Sequence, residues 1–268
     1  DEHRSALNRE LDVLRADGGI VQFYDPPRLA QRVLGGGAHV KIQISEAGEA
    51  IFASGNITRS SFEGWNEYAV ALRGPVVLTL LESAEALGLK VQPEHKAQIH
   101  LASASANAGI EMEYWFCNPN SRQGWLGPLF WRARNTITDR LIEMLDAAEH
   151  SILITSFYFK PTDDLMQAVL RAARRGVSVE IFHSHRDALP STDLAWIAAA
   201  TNYRRLFEAG VVIYENHHGE HSKIVVVDQK RAAFGSYNFE DAAHDRLAEA
   251  MLAGSDERLV APLLAIFE

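Results

Sequence analysis

An α/β fold built from two similar α-β-α sandwich halves, packed as a pseudo-twofold dimer around one site, follows from three features of the sequence. The first is a duplication, because Lys41, Glu46, Phe52, Ser54, Asn56 and Glu67 follow His39 at +2, +7, +13, +15, +17 and +28. Lys223, Asp228, Phe234, Ser236, Asn238 and Glu249 follow His221 at the same offsets, 182 residues later (221 − 39). Seven side chains held in one spacing mark an internal repeat. The second is the alternation of helical and strand patterns through residues 135–227, which reads as βαβ units. The third is Ile224 to Val227, wholly apolar and β-branched, as a strand covered on both faces must be.

The elements follow in order. Leu14 to Tyr24 (LRADGGIVQFY) parallels Leu206 to Tyr214 (LFEAGVVIY): a helix end, a glycine stop and a short apolar strand. Pro26, Pro27 and Gly35 to Gly37 then form a loop inserted before His39. Only 13 residues precede Leu14, too few for a βαβ crossover, so the first half is expected to lack its leading unit. Leu89 to Arg132 carries Trp115, Trp125, Phe130 and Trp131, which read as packing between the halves or as an amphipathic lip toward lipid. Asn135 to Glu149 places apolar residues at helical spacing. A strand over Ser151–Phe159, a helix over Asp163–Arg175, a strand over Val177–Phe182, mostly helix over Thr192–Ala209 and a strand from Val211 complete the second half. The halves divide at residues 1–120 and 121–268.

Composition bounds the function. The chain has 268 residues, 47% apolar and 23% charged, which suits a large packed core and excludes disorder and coiled coil. No run of eighteen uncharged apolar residues exists to cross a membrane as a helix. Cys117 is the only cysteine, so no intrachain disulfide forms. A net charge of −9 argues against a polyanion as the main partner. The chain is expected to be a monomer containing an internal pseudo-dimer, in the cytoplasm or at a membrane surface.

The chemistry lies in the repeat. His and Lys at i and i+2 on a strand share one face. Ser and Asn, also two apart, follow a second apolar strand, so each copy gathers the four side chains. Folding the copies about a twofold axis joins two such sets. Two imidazoles suit phosphoryl transfer: one attacks phosphorus, and the other protonates the leaving oxygen. Lysines and asparagines would hold the non-bridging oxygens. No cofactor is expected. His217, His218 and His221 with Glu220 match no helical zinc spacing, so no metal ligand set is assigned. His183 and His185 stand at a strand end, as surface residues or substrate contacts, and Asn66 reads as turn chemistry. Arg171, Arg174 and Arg175 read as a solvated helix end.

H-x-K-x(4)-D-x(6)-G-S-x-N is the signature of the phospholipase D superfamily. His221 to Asn238 (HSKIVVVDQKRAAFGSYN) resembles it at every defined position, and His39 to Asn56 (HVKIQISEAGEAIFASGN) departs only at Glu46 and Ala53. Residues 203–228 and 67–75 are similar to the corresponding stretches of bacterial cardiolipin synthases. The resemblance implies metal-independent phosphodiester cleavage or transfer on phospholipid through a phosphohistidine, with His39 as nucleophile and His221 as acid/base. A nuclease of the same superfamily is the alternative. Lys41, Lys223, Asn56 and Asn238 join the catalytic set. Ser54 and Ser236 are assigned to substrate, and Glu46 and Asp228 to structure. Ala53 matters only if the backbone there needs a positive φ. Glu67 and Glu249, each at +28, are expected to orient the histidine of their own copy.

Overall fold

A computed structural model describes residues 2–104, 109–121, 134–189 and 193–267. Trp125, Phe130 and Trp131, expected at the junction of the halves, lie outside the described residues. The first part runs α1 (Glu2–Ala16), α2 (Leu29–Val33), β1 (Gly37–Ala38), β2 (Ile42–Ile44), β3 (Glu49–Ala53), α3 (Arg59–Glu63), β4 (Ala69–Arg73), α4 (Val76–Ala86), α5 (Pro93–Ala104) and β5 (Glu113–Cys117). The second runs α6 (Thr136–Asp146), β6 (Ser151–Ser156), α7 (Asp163–Arg174), β7 (Ser178–Ser184), α8 (Leu194–Ala200), α9 (Tyr203–Glu208), β8 (Val212–Asn216), β9 (Ile224–Val227), β10 (Arg231–Gly235), α10 (Asp241–Asp245), β11 (Leu247–Gly254) and α11 (Glu257–Leu264).

The duplication is carried by whole elements. The bounds of β2, β3 and α3 begin 182 residues before those of β9, β10 and α10. Register agrees, since Ile42 faces Phe52 across one hairpin and Ile224 faces Phe234 across the other. Among the described residues, a mixed sheet of eight strands runs β1-β11-β10-β9-β6-β7-β8, with β5 also on β11. β6, β7 and β8 are parallel, as their helical crossovers require. β9 lies at the centre with all four residues buried, which explains its unbroken apolar run. A smaller antiparallel sheet has the order β2-β3-β4.

One core lies between the large sheet and α6 and α7, and it includes Trp115. The other lies between the two sheets and draws residues from both copies. At its centre the equivalent rings Phe52 and Phe234, both fully buried, meet edge to face at 5.9 Å and 89°. Arg171 grips Asp146 with two nitrogens at 3.0 and 2.7 Å. Arg175 donates to the carbonyls of Leu145, Asp146 and Ala148. These arginines stand exposed at the end of α7, as expected, and also tie it to the end of α6.

One predicted strand is absent. Residues 20–24 have no regular secondary structure and pair with no strand. Their counterpart β8 is held by β7, and the first copy offers no such neighbour among the described residues.

Candidate active site

Two short parallel bridges bring the copies together. Ala38 pairs with Ala248, and Asn66 pairs with Glu220. The residue after each bridge is a histidine on one side and a glutamate on the other. The His39 amide donates to the Ala248 carbonyl at 2.9 Å, and the His221 amide to the Asn66 carbonyl at 3.1 Å. Each histidine is thereby set against the carboxylate of the opposite copy. His39 Nδ1 lies 3.0 Å from Glu249 Oε1, and His221 Nδ1 lies 2.7 Å from Glu67 Oε1. The expected pairing within one copy is wrong, because identical offsets fix register and the bridges decide who meets whom.

The surroundings of His39 Nδ1 assign its tautomer. It faces both oxygens of Glu249 and, at 3.1 Å, the Ser236 carbonyl, all acceptors. The proton therefore sits on Nδ1, and Nε2 presents its lone pair. His221 Nδ1 lies between Glu67 Oε1 and the Lys223 ammonium, 3.1 Å away. Burial pushes His221 down to about 4, against the upward pull of Glu67 and with the help of the Lys223 charge.

Lys41 and Lys223 each donate to the carbonyl of their own histidine, Lys41 at 2.7 Å. Lys223 is fully buried. Burial lowers Lys41 to about 7, aided by the charge of Lys223, and burial lowers Lys223 to about 8. Lys41 senses Lys223, Glu249 and Glu67, and Lys223 senses both glutamates, so the two motif sets share one electrostatic site. An anion entering between these ammonium groups would raise both values and hold both charges.

The serines act differently from the expectation. Ser54 Oγ donates to Glu67 Oε2 at 2.7 Å, and Ser236 Oγ donates to Glu249. Both hydroxyls also accept backbone N–H groups, from Tyr68 and Ala250, each at 3.1 Å. Both serines are fully buried. Their hydrogen bonds are thus committed to the carboxylates, and Ser54 and Ser236 are not substrate ligands here. Asn238 donates to Glu240 Oε1 at 3.3 Å, while its buried Oδ1 has no partner among the described residues. The backbone N–H of Asn56, at the equivalent place, donates to Ser61 Oγ at 3.2 Å.

The motif acids diverge. Asp228 accepts the amides of Glu149, His150 and Ser151 at 3.0, 2.7 and 2.8 Å and so anchors the start of β6. Despite partial desolvation, these bonds hold its carboxyl below the usual range. Glu46 instead contacts His95. Gly235 does not take a positive φ. A Cβ there would collide with the Ala250 carbonyl and stand 2.8 Å from Met251 Cα. Close approach of β11 is what requires the glycine, and Ala53 occupies the looser equivalent in the small sheet.

Sequence reasoning missed an aromatic wall. Trp65 stacks on His221 at 4.9 Å and 22°, and Phe157 meets the same ring edge-on at 4.7 Å. Gly219 makes room, since a Cβ there would stand 2.9 Å from Trp65 Nε1. Asn66, read as turn chemistry, donates to Glu220 Oε2 at 3.2 Å and locks the second bridge. His183 is a satisfied core residue, 2.9 Å from the Ser184 carbonyl and 2.7 Å from the Tyr203 hydroxyl, not a substrate contact. His218 and Glu220 do not join His221 as metal ligands: Glu220 is engaged by Asn66 and Ser222. Among the described residues, no helix is long and apolar enough to cross a membrane.

Residues 141–268 match the family described as cardiolipin synthase, PLD-like domain. Cardiolipin synthase of Alkalihalophilus pseudofirmus is 38% identical over 98 residues, covering 36% of this chain and 19% of that protein. Cardiolipin synthase B of Salmonella typhi is 26% identical over 239 residues, covering 85% of this chain and 54% of the relative. The chain thus spans between a fifth and about half of the length of these relatives. The crystal structure of phosphatidylserine synthase from Haemophilus influenzae is similar in fold, with a TM-score of 0.60 at 15% identity over 85% of this chain and 61% of that one.

Proposed function

We propose that the chain is a member of the phospholipase D superfamily and that it transfers or hydrolyses the phosphodiester of a phospholipid through a phosphohistidine, without a metal in the reaction. The observation that carries this reading is the pair of crossed histidine–glutamate contacts beside the half-buried Lys41 and the buried Lys223. The likeness to cardiolipin synthases favours phospholipid over nucleic acid. A phospholipid substrate implies work at a membrane surface.

In the proposed sequence His39 Nε2 attacks phosphorus. A P–N bond forms, the P–O bond to the leaving alcohol breaks, and His221 Nε2 gives that oxygen its proton. Neutral His221 then takes a proton from water or an acceptor alcohol, whose oxygen attacks phosphorus and releases His39. The low proton affinity of His221 in the free site is offset when the phosphate anion arrives, since a nearby negative charge favours the imidazolium. Lys41 and Lys223 balance charge on the non-bridging oxygens. Glu249 and Glu67 hold the imidazole tautomers and stabilise the cations that form.

Mass spectrometry of products from defined phospholipid vesicles, with and without a primary alcohol, tests the assignment. Release of phosphatidic acid or an alcohol-exchanged lipid supports it. Cleavage of nucleic acid with no lipid product would replace it with the nuclease reading.

A further inference from the structure

β7 and β8 run parallel, with Ser184 beside Asn216 as their last paired residues. The next residues, His185 and His217, therefore stand side by side, with ring centroids 3.9 Å apart. Asp187, in the turn Arg186–Ala188, meets both rings with its carboxylate. Its Oδ2 lies 3.1 Å from His185 Nδ1 and 3.2 Å from His217 Nδ1. The three donor atoms lie within 4.8 Å of one another. Ligands bound tetrahedrally at about 2.0–2.1 Å are roughly 3.3 Å apart, so two edges of a coordination shell are already formed.

His185 Nδ1 also lies 3.3 Å from the Asp187 backbone N–H, a contact that an entering ion would displace. Two imidazole nitrogens and one carboxylate oxygen form a donor set suited to a borderline-soft ion with an open fourth position.

We propose that His185, Asp187 and His217 bind a divalent first-row transition ion, with zinc as the best match. The ion clasps the segments that follow β7 and β8. It takes no part in the phosphoryl chemistry. Its place is beside the aromatic wall of the site: Trp65 Nε1 donates to the Ala188 carbonyl at 3.3 Å, and Trp65 packs on Gly219. The clasped segments are thus the seat of the indole that covers His221.

Titration of the metal-free full chain with Co²⁺, read by visible d–d absorption, and with Zn²⁺, read by calorimetry, tests the site. One ion per chain is expected, with tetrahedral or five-coordinate cobalt bands. His217 is 66% exposed, so His217→Ala should fold normally by circular dichroism. That variant and Asp187→Ala should weaken binding at least ~100-fold. His218→Ala and His221→Ala should bind as the parent does. Absence of binding tighter than about 10 μM, binding unchanged in His217→Ala, or loss in His221→Ala instead would overturn the assignment. None of these readings depends on lipid turnover.

Discussion

His39 Nδ1 lies 3.0 Å from Oε1 of Glu249, a residue 210 positions away in the other copy of the repeat. His221 and Glu67 repeat the relationship in reverse at 2.7 Å. Neither copy contains a complete histidine–carboxylate unit of its own, so the site exists only when both are folded together.

The crossing gives a direct titration test. Removing a carboxylate from an imidazole lowers the imidazole pKa, because the cation loses its partner. Glu67→Gln should lower the NMR-monitored titration of His221 further, and Glu249→Gln should leave it nearly unchanged. Each should lower turnover by ~10–100-fold, by analogy with partners of histidine metal ligands. A shift on the histidine of the same copy would refute the crossed arrangement.

Ser54 and Ser236 separate positioning from substrate binding. Ser54→Ala and Ser236→Ala each remove a hydrogen bond to a buried carboxylate, which should cost about 1–3 kcal/mol of stability by urea unfolding. Turnover should fall while affinity for a phosphate analogue, measured by calorimetry, is kept. Loss of affinity with full stability would return the serines to the substrate.

The two depressed lysines set a pH limit on anion binding. Lys41 at about 7 and Lys223 at about 8 are charged below those values and neutral above them. Sulfate keeps its charge throughout this range, so its affinity reports the protein alone. Binding should be strong near about pH 6 and weaken at least ~10-fold by about pH 9. A flat profile would place the anion away from these lysines.

Much of this was legible in the sequence, for identifiable reasons. The paired offsets from His39 and His221 predict matched elements because strand register is a local property, and Ile42–Phe52 and Ile224–Phe234 bear it out. The apolar run Ile224–Val227 predicts a central strand because burial on both faces leaves no polar position. The crossing was not legible, since it depends on Ala38 meeting Ala248 and Asn66 meeting Glu220, pairings that no local pattern encodes. Residues 20–24 misled because a strand pattern needs a partner. Trp65 and Phe157 left a weak signal: an indole two residues before Glu67, and aromatic residues just after β6.

The central claim is that one phosphohistidine forms, on His39, in a site shared by both copies. Brief reaction with a phosphodiester substrate labelled on phosphorus, rapid denaturation at alkaline pH and peptide mapping test it most directly. The account predicts label on the peptide containing His39, none in His39→Ala, and in His221→Ala label that forms only with a substrate whose leaving group needs no protonation. Label on His221 in the unaltered chain, or turnover that survives His39→Ala, would contradict it.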